Sequence, residues 1–442
     1  MNLTPLQKTV GKLQTALQSK AKAEPEYRFY ALHDKLYRPD VLTVAFHCCR
    51  SNKGAAGVDG QTFADIEAYG LEKWLGELTK ELKDKTYQPS PVLRVWIPKE
   101  DGKQRPLGIP TIRDRVVQTA AMLVLEPIFE TDLQPEQHAY RPGRSALNAV
   151  KEVQGLLNAG YTEVVDADLS GFFDSIPHHE LMKCVARRIS DGRMLHLLKM
   201  WLEAPVEESD ESGRTWRTTR NQDEGNGTPQ GGVASPLLAN LKMRRFVLGW
   251  KVLGHEARLN AHIVNYADDF VICCRGNADE ALAAMRDMME KLRLTVNEKK
   301  TRRCDLPEDK FTFLGYTFGR RYSRRTGRPY IGPAPAAAKV QRLCRNLSER
   351  TDRRTCFMAV SDKVAKLNLL LKGWANYFGL GTVVRTYEIV MKHARRRLRR
   401  WLCEKFGVRT RQYARYSKKY LHEELGLIQL RRAQQSLLWA NG

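Results

Sequence analysis

Two stretches of this chain place acidic side chains where carboxylates are costly. In His262-Ile-Val-Asn-Tyr-Ala-Asp-Asp-Phe-Val-Ile-Cys-Cys274, the neighbours Asp268 and Asp269 lie between two apolar arms rich in β-formers. Such arms predict a hairpin with both acids at or near its turn. Adjacent carboxylates repel each other, and taking them out of water is unfavourable unless a cation compensates. The second stretch, Tyr161-Thr-Glu-Val-Val-Asp-Ala-Asp-Leu-Ser-Gly-Phe-Phe-Asp174, is an apolar strand interrupted by Asp166 and Asp168. Strand residues two apart share a face, so both can point the same way. Hard divalent cations such as Mg²⁺ take oxygen ligands. Carboxylates from two separate strands can hold two such ions about 4 Å apart, the arrangement that nucleotidyl transfer needs. Taken alone, the hairpin also reads as a solvated Asp-Asp turn.

The elements that must position these acids show as alternating patterns. Strand-like runs at Val92–Ile97, Glu163–Leu169 and His262–Cys274 are separated by helical periodicities at Arg113–Phe129, Ser145–Leu157 and Asp279–Leu292. That alternation indicates an α+β or α/β layered body over residues 27–318. Residues 1–26, polar and Lys-rich, read as a helical or loosely ordered extension. Val95–Pro110 reads as two strands joined by an Asp-Gly turn, with Lys99, Lys103 and Arg105 around it. In Thr228-Pro-Gln-Gly-Gly-Val-Ala-Ser-Pro-Leu-Leu-Ala-Asn-Leu241, the glycines admit a closely approaching ligand, and Ser235-Pro236 predicts a helix start with the hydroxyl as N-cap. His138-Ala-Tyr-Arg-Pro-Gly-Arg-Ser145 opens a helix with Arg141 and Arg144 near its N-terminus, candidate contacts for nucleic-acid phosphates. Val206–Gly227 reads as a surface hairpin or loop, and Gly319–Pro335, rich in Arg, Gly and Pro, as a hinge. In Val383–Phe406, apolar residues recur at helical spacing while Arg395, Arg396, Arg397, Arg399 and Arg400 fill the gaps. One face packs and the other is cationic.

Lys and Arg number 73 against 50 Asp and Glu, a formal charge of +23. Such a surplus points to a polyanionic partner, nucleic acid first. Arg320–Gly442 alone holds 29 of the basic and 7 of the acidic residues, so the surplus belongs to one region. No apolar run reaches the roughly 20 residues of a membrane span, and the first forty residues hold no signal-like segment. The expectation is a cytoplasmic protein, nucleoid-associated when bound to DNA, with no membrane partner. Nine cysteines occur without a Cys-x-x-Cys pair and read as reduced core thiols.

Tyr266-Ala-Asp-Asp269 and Asp168-Leu-Ser-Gly-Phe-Phe173 resemble the two metal-binding motifs of reverse transcriptases. The resemblance implies an α+β right-hand polymerase with fingers and palm over 27–318. It makes Asp168 and Asp268 the primary ligands of two Mg²⁺ ions, with Asp269 in support, while Asp166 and Asp174 match no ligand position. Lys99 and Arg105 then stand at the triphosphate-binding positions of a fingertip hairpin and Gln230 near the incoming nucleotide. Phe173 stands where an aromatic blocks a ribose 2′-hydroxyl. Lys300, in Asn297-Glu-Lys-Lys-Thr301, reads either as a proton donor to departing pyrophosphate or as a solvated lysine.

Asn52-Lys-Gly-Ala-Ala-Gly-Val-Asp-Gly-Gln-Thr62 and Gly373-Trp-Ala-Asn-Tyr-Phe378 narrow the resemblance to group II intron-encoded reverse transcriptases. The first is similar to their extra N-terminal block, and the second to the signature of maturase domain X, which doubles as the thumb. The resemblance implies a linker at 319–335, an α-helical thumb at 336–406 and a basic tail at 407–442, a candidate DNA-binding segment. It implies an RNA template, group II intron RNA, a DNA primer and target, and dNTPs as partners. Arg395, Arg396, Arg399 and Arg400 become RNA contacts, and the protein assists splicing by stabilising the intron fold. Many members end in a His-Asn-His endonuclease with paired cysteines; no such cysteines follow Phe406, so second-strand cleavage is not expected. Two other readings stay open: a free-standing enzyme domesticated for repair or phage defence, and a maturase without catalysis.

Overall fold

A computed structural model describes residues 5–98, 102, 104–210, 212, 214–323, 326–409 and 412–431. Its strands are β1 (Val92–Pro98), β2 (Gln104–Ile109), β3 (Glu163–Asp168), β4 (Val206–Ser209), β5 (Thr215–Thr218), β6 (Ala261–Tyr266), β7 (Asp269–Cys274), β8 (Arg302–Asp305), β9 (Phe311–Phe313), β10 (Tyr316–Tyr322) and β11 (Pro329–Pro335). The central sheet, in order β6-β7-β3-β8, is antiparallel throughout. Val164, Val264, Val271 and Cys273 cluster with the Ala146–Asn158 helix. Val165, Ile263, Phe270 and Ile272 cluster with the Ser235–Val252 and Ala278–Lys291 helices. Both faces are buried, which is why these strands read as nearly continuous apolar runs with the acids as exceptions.

A second sheet, β2-β1-β4-β5, joins two hairpins, and the Val206–Gly227 expectation is met by β4 and β5. The block ahead of it closes on the Ile112–Glu130 helix. A Cβ on Gly57 would lie 2.7 Å from the Thr111 backbone, so that contact admits only glycine. The Lys-rich start is not loose. Residues Pro5–Ala23 form one helix that buries Val10, Leu17 and Ala21, with Gln14 donating to the Leu123 carbonyl at 3.1 Å. All nine cysteines are free, but Cys48 is exposed rather than in the core.

Gly319–Pro335 is not a hinge. Gly319–Tyr322 lies in β10 and Pro329–Pro335 forms β11, the two strands paired from Tyr316↔Pro335 to Tyr322↔Pro329. Composition misled because β11 is an edge strand. Pro329, Pro333 and Pro335 share one parity, and the Pro333 carbonyl accepts from Thr382 outside the sheet. Their missing N–H groups face away from β10, where prolines are tolerated.

The C-terminal helices Ala337–Arg350, Val360–Tyr377 and Val384–Phe406 pack around Leu347, Leu367, Leu371, Leu398 and Trp401. Trp374, Tyr377 and Phe378 dock this bundle on the third sheet. Tyr377 donates to the Leu314 carbonyl at 2.8 Å, Tyr316 donates to the Tyr377 carbonyl, and the Phe378 and Tyr316 rings stand 5.3 Å apart. Phe378→Ala should therefore cost about 3 kcal/mol of stability, read as a lower urea midpoint.

Candidate active site

The acids converge through strand register. Asp168, the last residue of β3, pairs directly with Asp269, the first residue of β7. Tyr266, the last of β6, pairs with the same Asp269, leaving Ala267 and Asp268 as the turn. Ala267 takes φ 58°, unusual for a side-chain-bearing residue, and the buried Asn265 amide donates to its carbonyl at 2.8 Å. Asn265 is fixed in turn, since its N–H donates to Glu136 O at 2.9 Å and its carbonyl accepts from His138 N at 3.0 Å. Asp168 is held at both ends: its carbonyl accepts from Asn297 N at 2.8 Å, and Oδ2 accepts from Asn297 Nδ2 at 2.9 Å and Lys300 Nζ at 3.0 Å.

Burial, then Asp268 and Asp168, push the Asp269 carboxyl up to about 7. Burial and Asp168 also raise Asp268. The bond to Asp168 raises Lys300. Asp166 is lifted to about 6 by burial, opposed by Arg302 at 3.5 Å. Among the described residues no three His, Cys, Asp or Glu side chains already surround one metal position; Lys300 supplies the nearest positive charge. Burial and mutual repulsion that raise Asp268 and Asp269 are relieved by a hard divalent cation, so these oxygen donors fit such ions. Because Asp269 is raised, the folded state keeps its proton more tightly than the unfolded chain. Stability from that proton is present at low pH and falls as pH rises towards 7. MgCl₂ competes with it and should raise the melting temperature roughly 2 °C more at pH 8 than at pH 6.

An open cleft of about 360 Å³ runs beside Asp168 and Asp269, walled by Asp166, Lys300, Arg302 and Phe313. On the hairpin side, Arg105 Nε donates to Gln230 Oε1 at 2.8 Å, and Gly108 N donates to the Gln230 carbonyl. Gly231, at φ +108°, lets these backbones meet, because a Cβ there would lie 2.5 Å from Gly108 O. The predicted hairpin and glycine loop are thus one unit. Lys99 lies outside the described residues. Ser235 is not an N-cap: its hydroxyl donates to Pro229 O at 2.8 Å, while Gln118 Oε1 accepts from Val233 N at 2.8 Å. Phe173 is buried edge-on against Phe172, and its carbonyl accepts from Thr228 N at 2.7 Å, tying the acidic strand's end to the same loop.

Two arginines assigned to nucleic acid are structural instead. Arg141 is buried, with Nη2 on Glu130 Oε1 at 2.7 Å and Nη1 on the Gln134 and Gln137 carbonyls. Arg399 is buried, donates to the Tyr416 carbonyl at 2.9 Å and lies over the Tyr413 ring. Both guanidiniums are committed to partners within the fold. Arg144 is half-buried on the Pro135 carbonyl, and Arg395 is half-buried. Arg396 and Arg400 are exposed, beside His393 and Glu404. Sequence reasoning missed Asn297, although its bond to Asp168 sits within the string that held Lys300. It also missed Tyr140, half exposed at φ 55° and electrostatically coupled to Asp268 and Arg105; its place in the block containing Arg141 was the available signal.

No helix among the described residues is long and apolar enough to cross a membrane. The family profile described as reverse transcriptase (RNA-dependent DNA polymerase) matches residues 97–318, and that of the group II intron maturase-specific domain matches 340–420. Protein YkfC of Escherichia coli (strain K12) is 34% identical over 362 residues, 71% of this chain and 90% of that protein. Group II intron-encoded protein LtrA of Lactococcus lactis subsp. cremoris is 36% identical over 228 residues, 51% of this chain but 36% of LtrA. An uncharacterized 91 kDa protein in the cob intron of Schizosaccharomyces pombe is 26% identical over 419 residues, 78% of this chain and 50% of that protein. With carboxylates paired across the matched segment and a maturase-specific domain behind it, the chain belongs to the group II intron reverse transcriptase/maturase family.

Proposed function

We propose that this protein is an RNA-directed DNA polymerase that extends a DNA primer on an RNA template and binds group II intron RNA to assist its splicing and mobility. The reading assigns fingers and palm to residues 27–318, the thumb to 336–406 and target-DNA contact to the basic tail, with action at the nucleoid in the cytoplasm. The direct pairing of Asp168 with Asp269 across β3 and β7, with Asp268 at the adjoining turn, carries this reading.

Asp168, Asp268 and Asp269 would hold two Mg²⁺ ions, which when bound supply Lewis acidity to the primer hydroxyl and the triphosphate. The remaining work falls to the chain. Arg105 and Lys99 grip the triphosphate, and Gln230, held by Arg105, fixes the nucleotide's place. Lys300 balances the acids and hands a proton to the departing pyrophosphate. Phe173 excludes a 2′-hydroxyl by bulk. Purified protein given an annealed DNA primer, an RNA template, dNTPs and MgCl₂ should yield full-length complementary DNA. Absence of extension on any RNA template, with intron RNA also supplied, would leave only an RNA-binding role.

Intron RNA is proposed to meet the exposed Arg396 and Arg400. Each phosphate contact contributes nearly one unit to the salt dependence of affinity. Arg396→Gln with Arg400→Gln should lower the slope of log Kd against log salt by about 1.5, with polymerisation on a short template retained. An unchanged slope would move the RNA surface elsewhere.

A further inference from the structure

The C-terminal bundle holds out an apolar side chain that its packing does not use. Phe357 is 84% exposed, more than any other large apolar side chain among the described residues. It stands in the turn between the Ala337–Arg350 and Val360–Tyr377 helices. Its neighbours Cys356 and Met358 are half-buried against the bundle core, so the chain alternates inward, outward, inward. The turn itself is pinned. Thr351 is buried, and Arg397 donates to its hydroxyl at 3.0 Å and to its carbonyl at 3.1 Å. The Thr355 hydroxyl accepts from Lys363 Nζ at 2.8 Å and from Trp401 Nε1 at 3.1 Å. The Cys356 carbonyl accepts from Lys405 Nζ at 2.8 Å. Ordering a turn costs backbone entropy, and these bonds fix one whose outward ring gains nothing from the fold.

A second exposed ring lies close by. Lys405 Nζ, held on the Cys356 carbonyl, is 5.8 Å from the centre of the Phe406 ring, which is 52% exposed. A single exposed apolar side chain needs no explanation, but two rings beside one ammonium form a patch. The charges near it are cationic and uncommitted. Arg350, Arg353 and Arg354 are exposed, and their guanidiniums have no hydrogen bond or ion pair among the described residues. Against them stand Glu349 and Asp352, the second capping Arg354 N at 2.9 Å. Glu404 is taken by Arg400 at 2.9 Å. Arg400, assigned above to intron RNA, lies on the same helix as Phe406, within two turns of it. Exposed rings beside free guanidiniums match a single-stranded nucleic acid, in which every base offers a π-face and every linkage a phosphate. A protein partner would have to bring acids to this patch.

We propose that this corner of the bundle is a stacking site for unpaired RNA bases, which rest on Phe357 and Phe406 while Arg353 and Arg354 take the adjoining phosphates. It rests on the reading that the thumb binds intron RNA. The full chain is titrated at several salt concentrations with a single-stranded RNA of mixed sequence, and with the same sequence annealed to its complement. Phe357→Ala should weaken single-strand binding about tenfold at every salt concentration, with the salt slope and duplex binding unchanged. Phe357→Trp should keep wild-type affinity. Arg353→Gln with Arg354→Gln should instead lower the single-strand slope by about 1.4. Because the ring is exposed, Phe357→Ala should melt with the wild type, which separates lost affinity from lost fold. Wild-type affinity of Phe357→Ala for the single strand overturns the site, as does an equal loss on the duplex; the Arg396 and Arg400 slopes still test the thumb reading. Sedimentation without RNA covers the rival partner: a self-association of the wild type that Phe357→Ala abolishes would make the patch a contact between copies of this chain and overturn the RNA assignment. A wild type that binds neither RNA sinks the thumb reading and this site together.

Discussion

Asp268→Ala should lower primer extension on an RNA template by about 10³-fold or more, a loss of about 4 kcal/mol of transition-state stabilisation. The size follows from position. Asp268 occupies the turn between β6 and β7, braced by Asn265, and its carboxylate acts on Asp269 and Asp168 at once. Removing it takes away a proposed metal ligand without emptying a core position, so stability and RNA affinity should stay near wild type. Circular dichroism and filter binding provide those controls. A variant that folds, binds RNA and still extends at more than a tenth of the wild-type rate would show that Asp268 is not a ligand.

Phe173→Ala should raise ribonucleotide incorporation relative to deoxynucleotides by about 10²-fold, equivalent to about 2.7 kcal/mol of lost discrimination. The ring follows the acidic strand, and its backbone is tied to the loop that carries Gln230. Because Phe173 is buried, the substitution should also cost about 3 kcal/mol of stability. Phe172→Ala separates the effects, since that ring is equally buried beside it. It should lose stability without losing discrimination. Equal sugar selectivity in both variants would reduce Phe173 to a core residue.

Much of this arrangement was legible before the fold. A hairpin with acids at its turn follows from two apolar β-rich arms, and the helices bounded by Arg113 and Phe129 or by Asp279 and Leu292 follow from periodicity. Pairing register was not legible: nothing within residues 163–168 specifies that Asp168 rather than Asp166 lies opposite Asp269. That choice comes from how β3 sits between β7 and β8. The fates of the arginines were equally hidden. Arg141 and Arg399 look like Arg144 and Arg400 in the string, yet Glu130 buries the first and the Tyr416 carbonyl the second. Proline and glycine in 329–335 suggested a hinge because composition cannot tell an edge strand from a linker. Residues 1–26 could be read only as helical or loosely ordered, because three buried side chains in nineteen residues make a faint stripe.

The most direct test is cleavage by a metal placed where Mg²⁺ is proposed to bind. Fe²⁺ bound in place of Mg²⁺, with ascorbate and peroxide, releases hydroxyl radicals that cut nearby backbone. Cuts near both Asp168 and Asp268–Asp269, suppressed together by excess Mg²⁺ and lost in Asp268→Ala, are the predicted result. Cleavage confined to one of the two segments, or insensitive to Mg²⁺, would contradict a metal centre shared by the two strands.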